Sequence, residues 1–343
     1  MAFRMPAEWA PHERTWMAWP GPNVTFSDAE ELAAAREAWA GVARAVRAYE
    51  PVTVVCGPGQ SDGARELLGP DIELVERELD DAWMRDIGPT FVKDDETGEL
   101  AAVDWVFNGW GAQDWATWEH DSKIAGMVAD LVGVPTLSSP LVNEGGGIHV
   151  DGEGTVLLTE TVQLGPERNP QWTREQVEAE IHAKLGTTKA IWLPRGLTTD
   201  YPPHGFGTLG HVDIVAAFAA PGVVLAHTQP DPSHPDHEPC KANVELLRSQ
   251  TDAKGRPLKV IEVPAPTKVK VDGDWVDYSY INHYLCNGGV VLCAFDDPRD
   301  EEAAEIFRGL FPDRTVTLVD AREIFAGGGG IHCITQQQPA THS

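Results

Sequence analysis

The sequence predicts an α/β fold in which five similar strand–helix–strand units close into a ring around one axis. Short Val-, Ile- and Leu-rich runs bounded by Gly and Pro alternate with stretches of 3.6-residue apolar spacing. The pentapeptide GGGIH occurs at 145–149 and again at 328–332, and a looser copy, LGHVDIVAAF, lies at 209–218. An open doubly wound sheet also fits the alternation, but it would scatter the polar junctions of the units along an edge. Five equivalent units around an axis would bring those junctions to one place.

Each unit combines apolar strands with one helix, and a polar junction follows it. In chain order, the predicted elements are strand 52–56, helix 64–68 and strand 72–78; strands 89–92 and 101–107, helix 122–132 and strand 134–137; strand 155–160, helix 173–185 and strand 190–194; strands 213–219 and 222–228, helix 240–250 and strand 258–264; and strand 289–295, helix 300–311 and strand 315–320. The junctions contain WMRD (83–86), NEGGG (143–147), GHVD (210–213), YSYINHY (278–284) and GGGGIHC (327–333). No linker or composition shift divides the chain, so residues 1–343 are predicted to form a single domain.

The charge balance is strongly acidic. The 343 residues include 26 Lys and Arg against 53 Asp and Glu, a formal net charge of −27. Nucleic-acid and anionic-membrane binders need clustered basic residues, so both partners are disfavoured, whereas a cationic small-molecule substrate is compatible. The sequence contains no run of 18 apolar residues, so no membrane span is predicted. The N-terminus lacks the apolar segment of a signal peptide, so a cytoplasmic location is expected.

The cysteines do not form a metal-binding or redox motif. The chain has five, an odd number at wide spacing and without a CxxC pair, and they are Cys56, Cys240, Cys286, Cys293 and Cys333. Zinc-finger and thioredoxin-like functions are therefore excluded, and free thiols are expected. Four of the five are interpreted as small buried residues. Cys333 differs because it directly follows the second GGGIH copy.

Five chemically reactive residues stand at the junctions, and the ring would bring them together: Asp86, Glu144, His211, Asp213 and Cys333. A cysteine-protease pair needs a single acid or amide to orient its imidazole, so three acids are too many. Zinc binding is disfavoured because no second tight histidine cluster is present. A guanidinium is planar, permanently charged and rich in N–H donors, and carboxylates can bind it from two sides. A thiolate could then attack its central carbon.

Several motifs resemble the agmatine deiminase family, and they occur in the same order over nearly the whole chain. They are MPAEWAPHERTWMAWP (5–20), WMRDIGPTFV (83–92), FNGWG (107–111), NEGGGIHVDGEGTVLLTE (143–160), IWLPRG (191–196), GHVDIVAAF (210–218) and the stretch from YSYINHYL to GGGGIHCITQQQP (278–339). The resemblance implies the five-bladed αβ propeller (pentein) of the guanidine-modifying enzymes, which agrees with the five units. That superfamily also includes bacterial peptidylarginine deiminases, arginine deiminases and amidinotransferases.

The resemblance also implies a role for each of the five residues. Cys333 corresponds to the nucleophile and His211 to the general acid and base. Asp86 and Asp213 correspond to the carboxylates that hold the guanidinium nitrogens. Glu144 completes the acidic cage and orients His211 or the substrate. His149, although it belongs to a GGGIH copy, has no role in the family and is interpreted as structural.

Two tryptophans are further candidates for substrate binding. Trp83 is expected to pack against the flat or aliphatic part of the substrate as a cation–π surface, and Trp110 is a second residue of this kind. The implied reaction converts agmatine to N-carbamoylputrescine and ammonia through a covalent amidino-thioether on Cys333, without metal or cofactor. A homo-oligomer, such as a dimer, is expected from the family.

One segment departs from the family pattern and leaves the substrate open. The family has an acid four residues before the histidine, whereas here that position is Gly207, within Tyr201–Leu209, and the nearest acid is Asp200. His204 and Tyr201 are candidates to face a different substrate tail. Another guanidino compound or amidino transfer to an amine therefore stays an alternative, and a non-catalytic binding protein on the same fold is a third.

Two further differences are smaller. Asn143 stands where the family has an apolar residue, and FNGWGA differs slightly from the family's FNAWGG. The segment 227–239 contains three histidines and two aspartates; it could bind metal, but a solvated loop is expected.

Overall fold

The computed structural model describes residues 3–204 and 206–341. Its strands, numbered in chain order, are β1 (Phe3–Arg4), β2 (His12–Ala18), β3 (Val52–Cys56), β4 (Glu73–Glu76), β5 (Thr90–Asp94), β6 (Leu100–Val106), β7 (Thr136–Val142), β8 (His149–Val150), β9 (Thr155–Thr159), β10 (Lys189–Leu193), β11 (Ala216–Ala220), β12 (Val223–Thr228), β13 (Lys259–Pro264), β14 (Lys270–Val271), β15 (Asp274–Trp275), β16 (Tyr284–Cys286), β17 (Gly289–Ala294), β18 (Thr315–Asp320) and β19 (Gln336–Pro339).

The helices alternate with these strands along the chain. They are α1 (Ala29–Arg47), α2 (Ser61–Leu68), α3 (Met84–Ile87), α4 (Gly109–Ala112), α5 (Ile124–Val132), α6 (Glu160–Gln163), α7 (Arg174–Leu185), α8 (His237–Arg248), α9 (Asp300–Leu310) and α10 (Arg322–Ala326). Short 3₁₀ turns cover Asp121–Lys123, Gly145–Gly147, Thr198–Asp200 and Val212–Ile214. None of the described helices combines the length and apolar character that a bilayer crossing needs.

Five small sheets follow one plan, in which an antiparallel pair is extended by a parallel neighbour. Their strand orders are β19-β2-β3-β4, β1-β5-β6-β7, β8-β9-β10, β11-β12-β13 and β16-β17-β18. A parallel connection needs a crossover, and a helix supplies it in every sheet: α1 and α2, α5, α7, α8 and α9. A separate β14-β15 hairpin completes the described strands. The predicted mixed α/β fold is confirmed.

The predicted units agree with the observed elements to within a few residues, but the first unit is incomplete in the prediction. Strand β2 and helix α1 precede its predicted start at residue 52. Helix α1 carries clear local signals. The Asp28 side chain accepts hydrogen bonds from the backbone N–H groups of Glu30 and Glu31, which satisfies two free donors at the helix start. Its buried positions Ala35, Trp39, Val42 and Val46 lie on one face at helical spacing, and they pack against the core.

The two ends of the chain meet in one sheet. Strand β19 pairs antiparallel with β2, with Gln336 opposite Trp16. The Trp16 indole N–H also donates to the Gln338 side-chain oxygen over 2.9 Å. This pairing anchors the segment that immediately follows Cys333 to the N-terminal sheet.

The segment 227–239 is a solvated loop in part, because residues 230–233 are exposed and lie outside any helix or strand, but three of its polar side chains are buried. His227 ends β12 and its Nδ1 lies 3.0 Å from the Ser279 hydroxyl, while Asp236 accepts a 2.7 Å hydrogen bond from the Thr198 backbone N–H. His227, His234 and Asp236 are all buried. The prediction is therefore confirmed for the exposed residues, and it is wrong for His227, His234 and Asp236, which the fold buries against neighbouring segments.

Candidate active site

Asp86 is held in place by two donors from different parts of the chain. It lies on the short helix α3, where its Oδ1 accepts from the Gly146 backbone N–H at 2.9 Å and its Oδ2 from the Trp110 indole N–H at 2.8 Å. Burial raises the pKa of Asp86, as do the nearby carboxylates of Glu144 and Asp213, against the opposing effect of His211. The two donors therefore fix the orientation of the Asp86 carboxylate, and the charge of His211 stabilises its ionised form.

The neighbouring Arg85 joins α3 to the nucleophile segment. Its backbone N–H donates to the carbonyl of Cys333, and its buried guanidinium donates to the side-chain oxygens of Gln336 and Gln337 at 2.8 Å each. Two residues far apart in sequence, Asp86 and Cys333, are thereby held in a fixed relation.

Glu144 and His211 form a fully buried ion pair supported by an arginine. The Arg168 Nε donates to both Glu144 oxygens at 3.0 and 3.1 Å, and Glu144 Oε2 lies 3.1 Å from His211 Nε2. Burial opposes ionisation of Glu144, but Arg168 and His211 outweigh it and lower its pKa to about 2. Burial likewise opposes charge on His211, but Asp86, Glu144 and Asp213 raise its pKa to about 9. His211 is therefore an imidazolium at neutral pH.

Asp213 is held from behind by a second imidazole. Its Oδ2 lies 2.7 Å from Nδ1 of His332, whose Nε2 lies 2.8 Å from Oε2 of Glu8. Burial and Arg85 oppose a charge on His332, but Glu8 and Asp213 raise its pKa. The other Asp213 oxygen, Oδ1, is buried and has no hydrogen-bond partner among the described residues. It is available to a ligand.

Cys333 is buried beside this carboxylate. Its Sγ lies 3.7 Å from Asp213 Oδ2 and 3.3 Å from the Asn282 side-chain nitrogen. Burial, together with the negative charges of Asp213 and Asp86, raises the pKa of the Cys333 thiol well above its usual range. The thiol is protonated in the empty site.

A narrow cavity leads from Asp86 and Cys333 to the surface. Its lining includes Asp86 and Cys333 at one end, and it is otherwise formed by aromatic rings, glycines and a threonine: Trp83, Trp110, Trp115, Phe206, Gly207, Thr208, Gly327 and Gly328.

Both GGGIH copies contain a glycine that the site requires. A Cβ on Gly146 would collide with the His211 ring and reach 3.0 Å from Asp86 Oδ1. A Cβ on Gly329 would lie 2.8 Å from the Trp83 ring and 3.0 Å from the Cys333 sulfur. The repeated motif thus allows close approach of the backbone to the reactive groups.

The predicted site residues lie together. His211 Nδ1 lies 3.9 Å from Asp86 Oδ1, Asp213 lies against Cys333, and Glu144 lies behind His211. Nδ1 of His211 is a second buried atom without a hydrogen-bond partner in the described structure. A thiol, a proton-carrying imidazole and two carboxylates near one small cavity can bind a planar cation, attack it covalently and protonate a leaving nitrogen.

One group among the described residues has the spacing of metal ligands, and it lies behind the site rather than in the cavity. It consists of Glu8, His149 and His332. An ion there would displace the hydrogen bond between His332 and Glu8 and would lie close to Arg85, whose Nη2 is 3.8 Å from Glu8. His149 Nδ1 instead accepts from the Phe218 backbone N–H at 3.2 Å, in agreement with a structural role.

Comparison with known proteins agrees with this geometry. The family described as Porphyromonas-type peptidyl-arginine deiminase matches residues 4–339. The chain belongs to this family. A Streptomyces avermitilis protein, provisionally named an agmatine deiminase, is 76% identical over 337 residues, which is 98% of this chain and 97% of that protein. The agmatine deiminase of Stutzerimonas stutzeri is 43% identical over 361 residues, covering 98% and 96%.

A solved member of this group has the same fold. The structure described as the agmatine deiminase of Enterococcus faecalis catalysing its reaction has a TM-score of 0.93 and 36% identity, and the match covers 99% of this chain and 96% of that one. The resemblance inferred from the sequence motifs is thereby confirmed.

Sequence reasoning missed the residues that support or complete the site. Arg168 gave no signal, because a charged side chain in a loop is usually solvated, whereas His332 ends the second GGGIH copy; the burial of both depends on distant partners. Trp115 and Phe206 also line the cavity; the density of tryptophans over 105–118 was the available signal for Trp115.

The prediction for Tyr201 is wrong, whereas that for His204 stays a prediction. The Tyr201 hydroxyl accepts from the Gly196 backbone N–H at 2.9 Å and lies 2.9 Å from the Thr161 hydroxyl, so it supports a turn. Exposed His204 lies in an adjacent surface groove. Neither is among the described residues that line the cavity.

Proposed function

We propose that this protein is a guanidine deiminase that hydrolyses agmatine to N-carbamoylputrescine and ammonia. The observation that carries the proposal is the inner end of the cavity, where Cys333 lies beside Asp213, whose Oδ1 is buried and unpartnered in the described structure, and where Asp86 faces the unpartnered Nδ1 of His211. A guanidinium supplies the N–H donors that the unpartnered Asp213 oxygen lacks and a positive charge between the carboxylates of Asp86 and Asp213. The agmatine deiminases of S. stutzeri and E. faecalis support agmatine as the substrate.

In the first half of the reaction, the guanidinium binds between Asp86 and Asp213 and offsets the negative field that keeps Cys333 protonated. The thiol proton leaves to solvent, and the thiolate attacks the central carbon, forming an S–C bond. His211 donates its proton to one terminal nitrogen, the C–N bond breaks, and ammonia departs. An amidino-thioether on Cys333 and a neutral His211 are left.

In the second half, neutral His211 takes a proton from water, and the hydroxide adds to the same carbon. Collapse of this adduct breaks the S–C bond and releases the thiolate, and the hydroxyl proton leaves as the C=O bond of the ureido product forms. Cys333 takes up a proton again when the product departs. Glu144 keeps His211 oriented and favours its charged form in both halves, because its own charge is held by Arg168. Trp83 and Trp110, which line the cavity, pack against the substrate.

The cavity favours agmatine over arginine. No Lys or Arg is present among the described residues that line it, so the α-carboxylate of arginine would lose its hydration without gaining a partner. Agmatine lacks that carboxylate.

The five sheets support a ring of five blades in a single domain. All five repeat one plan, and β19 joins the C-terminal end of the chain to the first sheet through β2. We infer that this pairing closes an αβ propeller around the site, where the junctions of its blades supply the site residues. The homo-oligomer, the cytoplasmic location and the lack of a nucleic-acid partner stay predictions.

The test measures ammonia and ureido product from agmatine, arginine, 4-guanidinobutyrate and methylguanidine. Agmatine is expected to be turned over best. Cys333→Ala is expected to lower turnover about a thousandfold or more, whereas Cys240→Ala, which removes a buried thiol outside the site, is expected to keep activity. Mass spectrometry of the quenched reaction should find the amidino adduct on Cys333. Turnover by Cys333→Ala would contradict the mechanism, and product formation only with an added amine would replace hydrolysis by amidino transfer.

A further inference from the structure

We propose that Trp115 and Phe206, together with Trp110, form an aromatic subsite that binds the ammonium at the far end of the substrate. This inference rests on the proposed function, because it concerns the same cavity and a guanidinium bound at its inner end. It assigns to ring faces the role that a carboxylate would otherwise have.

The three rings form a continuous row that starts at the catalytic end. Trp110 donates its indole N–H to Asp86, which places the first ring beside the guanidinium position. Trp115 stacks on Trp110 with ring centroids 5.4 Å apart and planes inclined by 20°. Phe206 then meets Trp115 edge-on, at 5.0 Å and 73°. All three line the cavity, so a substrate chain that extends from Asp86 toward solvent passes along them.

The described residues that line the cavity include no acid at its outer end, and the nearest aspartates, Asp274 and Asp277, line the neighbouring groove that shares Phe206 and Gly328 with it. Asp86 is the one carboxylate among the lining residues. Asp200, the acid closest in sequence to the departing segment, is 2% exposed, and its oxygens accept from the Thr208 N–H and hydroxyl and from the Gly210 N–H. It fixes the loop and does not face the substrate. The ammonium of agmatine therefore needs another form of stabilisation, because a buried unpaired charge is costly.

The rings are held in position for this role. The Gln113 side-chain oxygen accepts from the Trp115 indole N–H at 3.1 Å, and its nitrogen donates to the Gly207 carbonyl. Gln113 thus ties Trp115 to the segment that carries Phe206. Trp115 and Phe206 are half-buried, which leaves part of each ring open to the cavity.

Ring faces select for positive charge. The quadrupole of an aromatic ring attracts an ammonium over its face and repels a carboxylate. A guanidine with a distal cation is therefore favoured over one of the same length with a neutral or anionic end. The substrate class that follows is an alkylguanidine with a terminal amine.

The test compares two substrates of equal length that differ in charge at the far end. Agmatine carries a terminal ammonium, and pentylguanidine has a methyl group in its place. The measured quantity is the ratio of kcat/KM for agmatine to that for pentylguanidine. Trp115→Leu and Phe206→Leu are each expected to lower this ratio about 3- to 30-fold, the range expected for loss of a cation–π contact.

The controls separate charge recognition from general damage. Phe206→Tyr keeps a ring and should restore the ratio, and Trp172→Leu removes a half-buried tryptophan outside the cavity and should leave it unchanged. If both leucine variants slow the two substrates equally, the rings are only packing residues and the inference is overturned. If the wild-type enzyme turns over neither substrate, the proposed function has failed instead.

Discussion

Replacing His211 by Gln tests whether the empty site holds an imidazolium at neutral pH. Glutamine can still donate to Glu144, which now lies 3.1 Å from His211 Nε2, but it carries no charge. The substitution leaves Asp86, Glu144 and Asp213 buried without the cation that they surround. The loss of stability should therefore depend on pH in a way that a packing defect would not.

The magnitude follows from the pKa of His211. Asp86, Glu144 and Asp213 outweigh burial and raise it from 6.5 to about 9, and at 1.36 kcal/mol per pKa unit this corresponds to about 3 kcal/mol of folding stability. Because the folded-state pKa is the higher one, this contribution is fully present below pH 6.5. It declines as the pH rises through about 9, where the folded protein loses the proton. The destabilisation caused by His211→Gln should therefore be about 3 kcal/mol larger at pH 6 than at pH 10.

The assay is urea unfolding of wild type and variant at intervals between pH 6 and pH 10. The control is His182→Gln, which removes a half-buried histidine whose pKa is lowered by burial, so its effect should be constant above about pH 7.5 and should change in the opposite direction, by less than about 1 kcal/mol, between there and pH 6. A difference between wild type and His211→Gln that does not change with pH would refute the reasoning. His211 would then be neutral in the empty site and unable to protonate the leaving ammonia.

Two further substitutions test the charges around His211. Asp213→Asn removes the carboxylate 3.7 Å from the Cys333 sulfur, so the thiol should ionise more readily. Alkylation of Cys333 by iodoacetamide at pH 7 should therefore accelerate about tenfold or more. An unchanged rate would show that this carboxylate does not hold the proton on the thiol. Glu144→Gln leaves Arg168 buried without its partner and should lower the free energy of unfolding by about 3–5 kcal/mol. The control Glu73→Gln changes an exposed pair and should lower that free energy by less than about 1 kcal/mol. Equal losses would contradict the account of the buried pair.

The fold was predictable wherever a local pattern decided the structure. Strand β18 has the predicted bounds of 315–320, because its Val- and Leu-rich run is a local signal. Strand β19 gave no such signal. Its sequence is three glutamines and a proline, and it is a strand because β2 pairs with it and because Arg85 and Trp16 bind its side chains. Contacts between the two ends of a chain cannot be inferred from either end alone.

The residues of the site also fall into a group that the sequence predicts and a group that it does not. The five junction residues were predictable because a repeated backbone motif placed equivalent positions at one point. Their partners were not, since Arg168 and His332 are ordinary charged residues until the fold buries them against Glu144 and Asp213. The loss of an acid at Gly207 was visible in the sequence, but the aromatic row that lies there required the structure.

The charge arrangement explains why a strongly acidic protein can keep so many carboxylates in one buried place. Arg168 neutralises Glu144, and His332 is bonded between Asp213 and Glu8, so the compensating cations lie behind the carboxylates and leave the cavity side open. In the empty site Cys333 stays protonated, so that its sulfur adds no further negative charge to the carboxylates beside it. A guanidinium adds one positive charge to the site when it binds. Ionisation of the thiol then releases one proton, which removes one positive charge. Binding and activation of the nucleophile therefore leave the net charge of the site unchanged, and a neutral ligand, which cannot replace that proton, leaves the thiol unreactive.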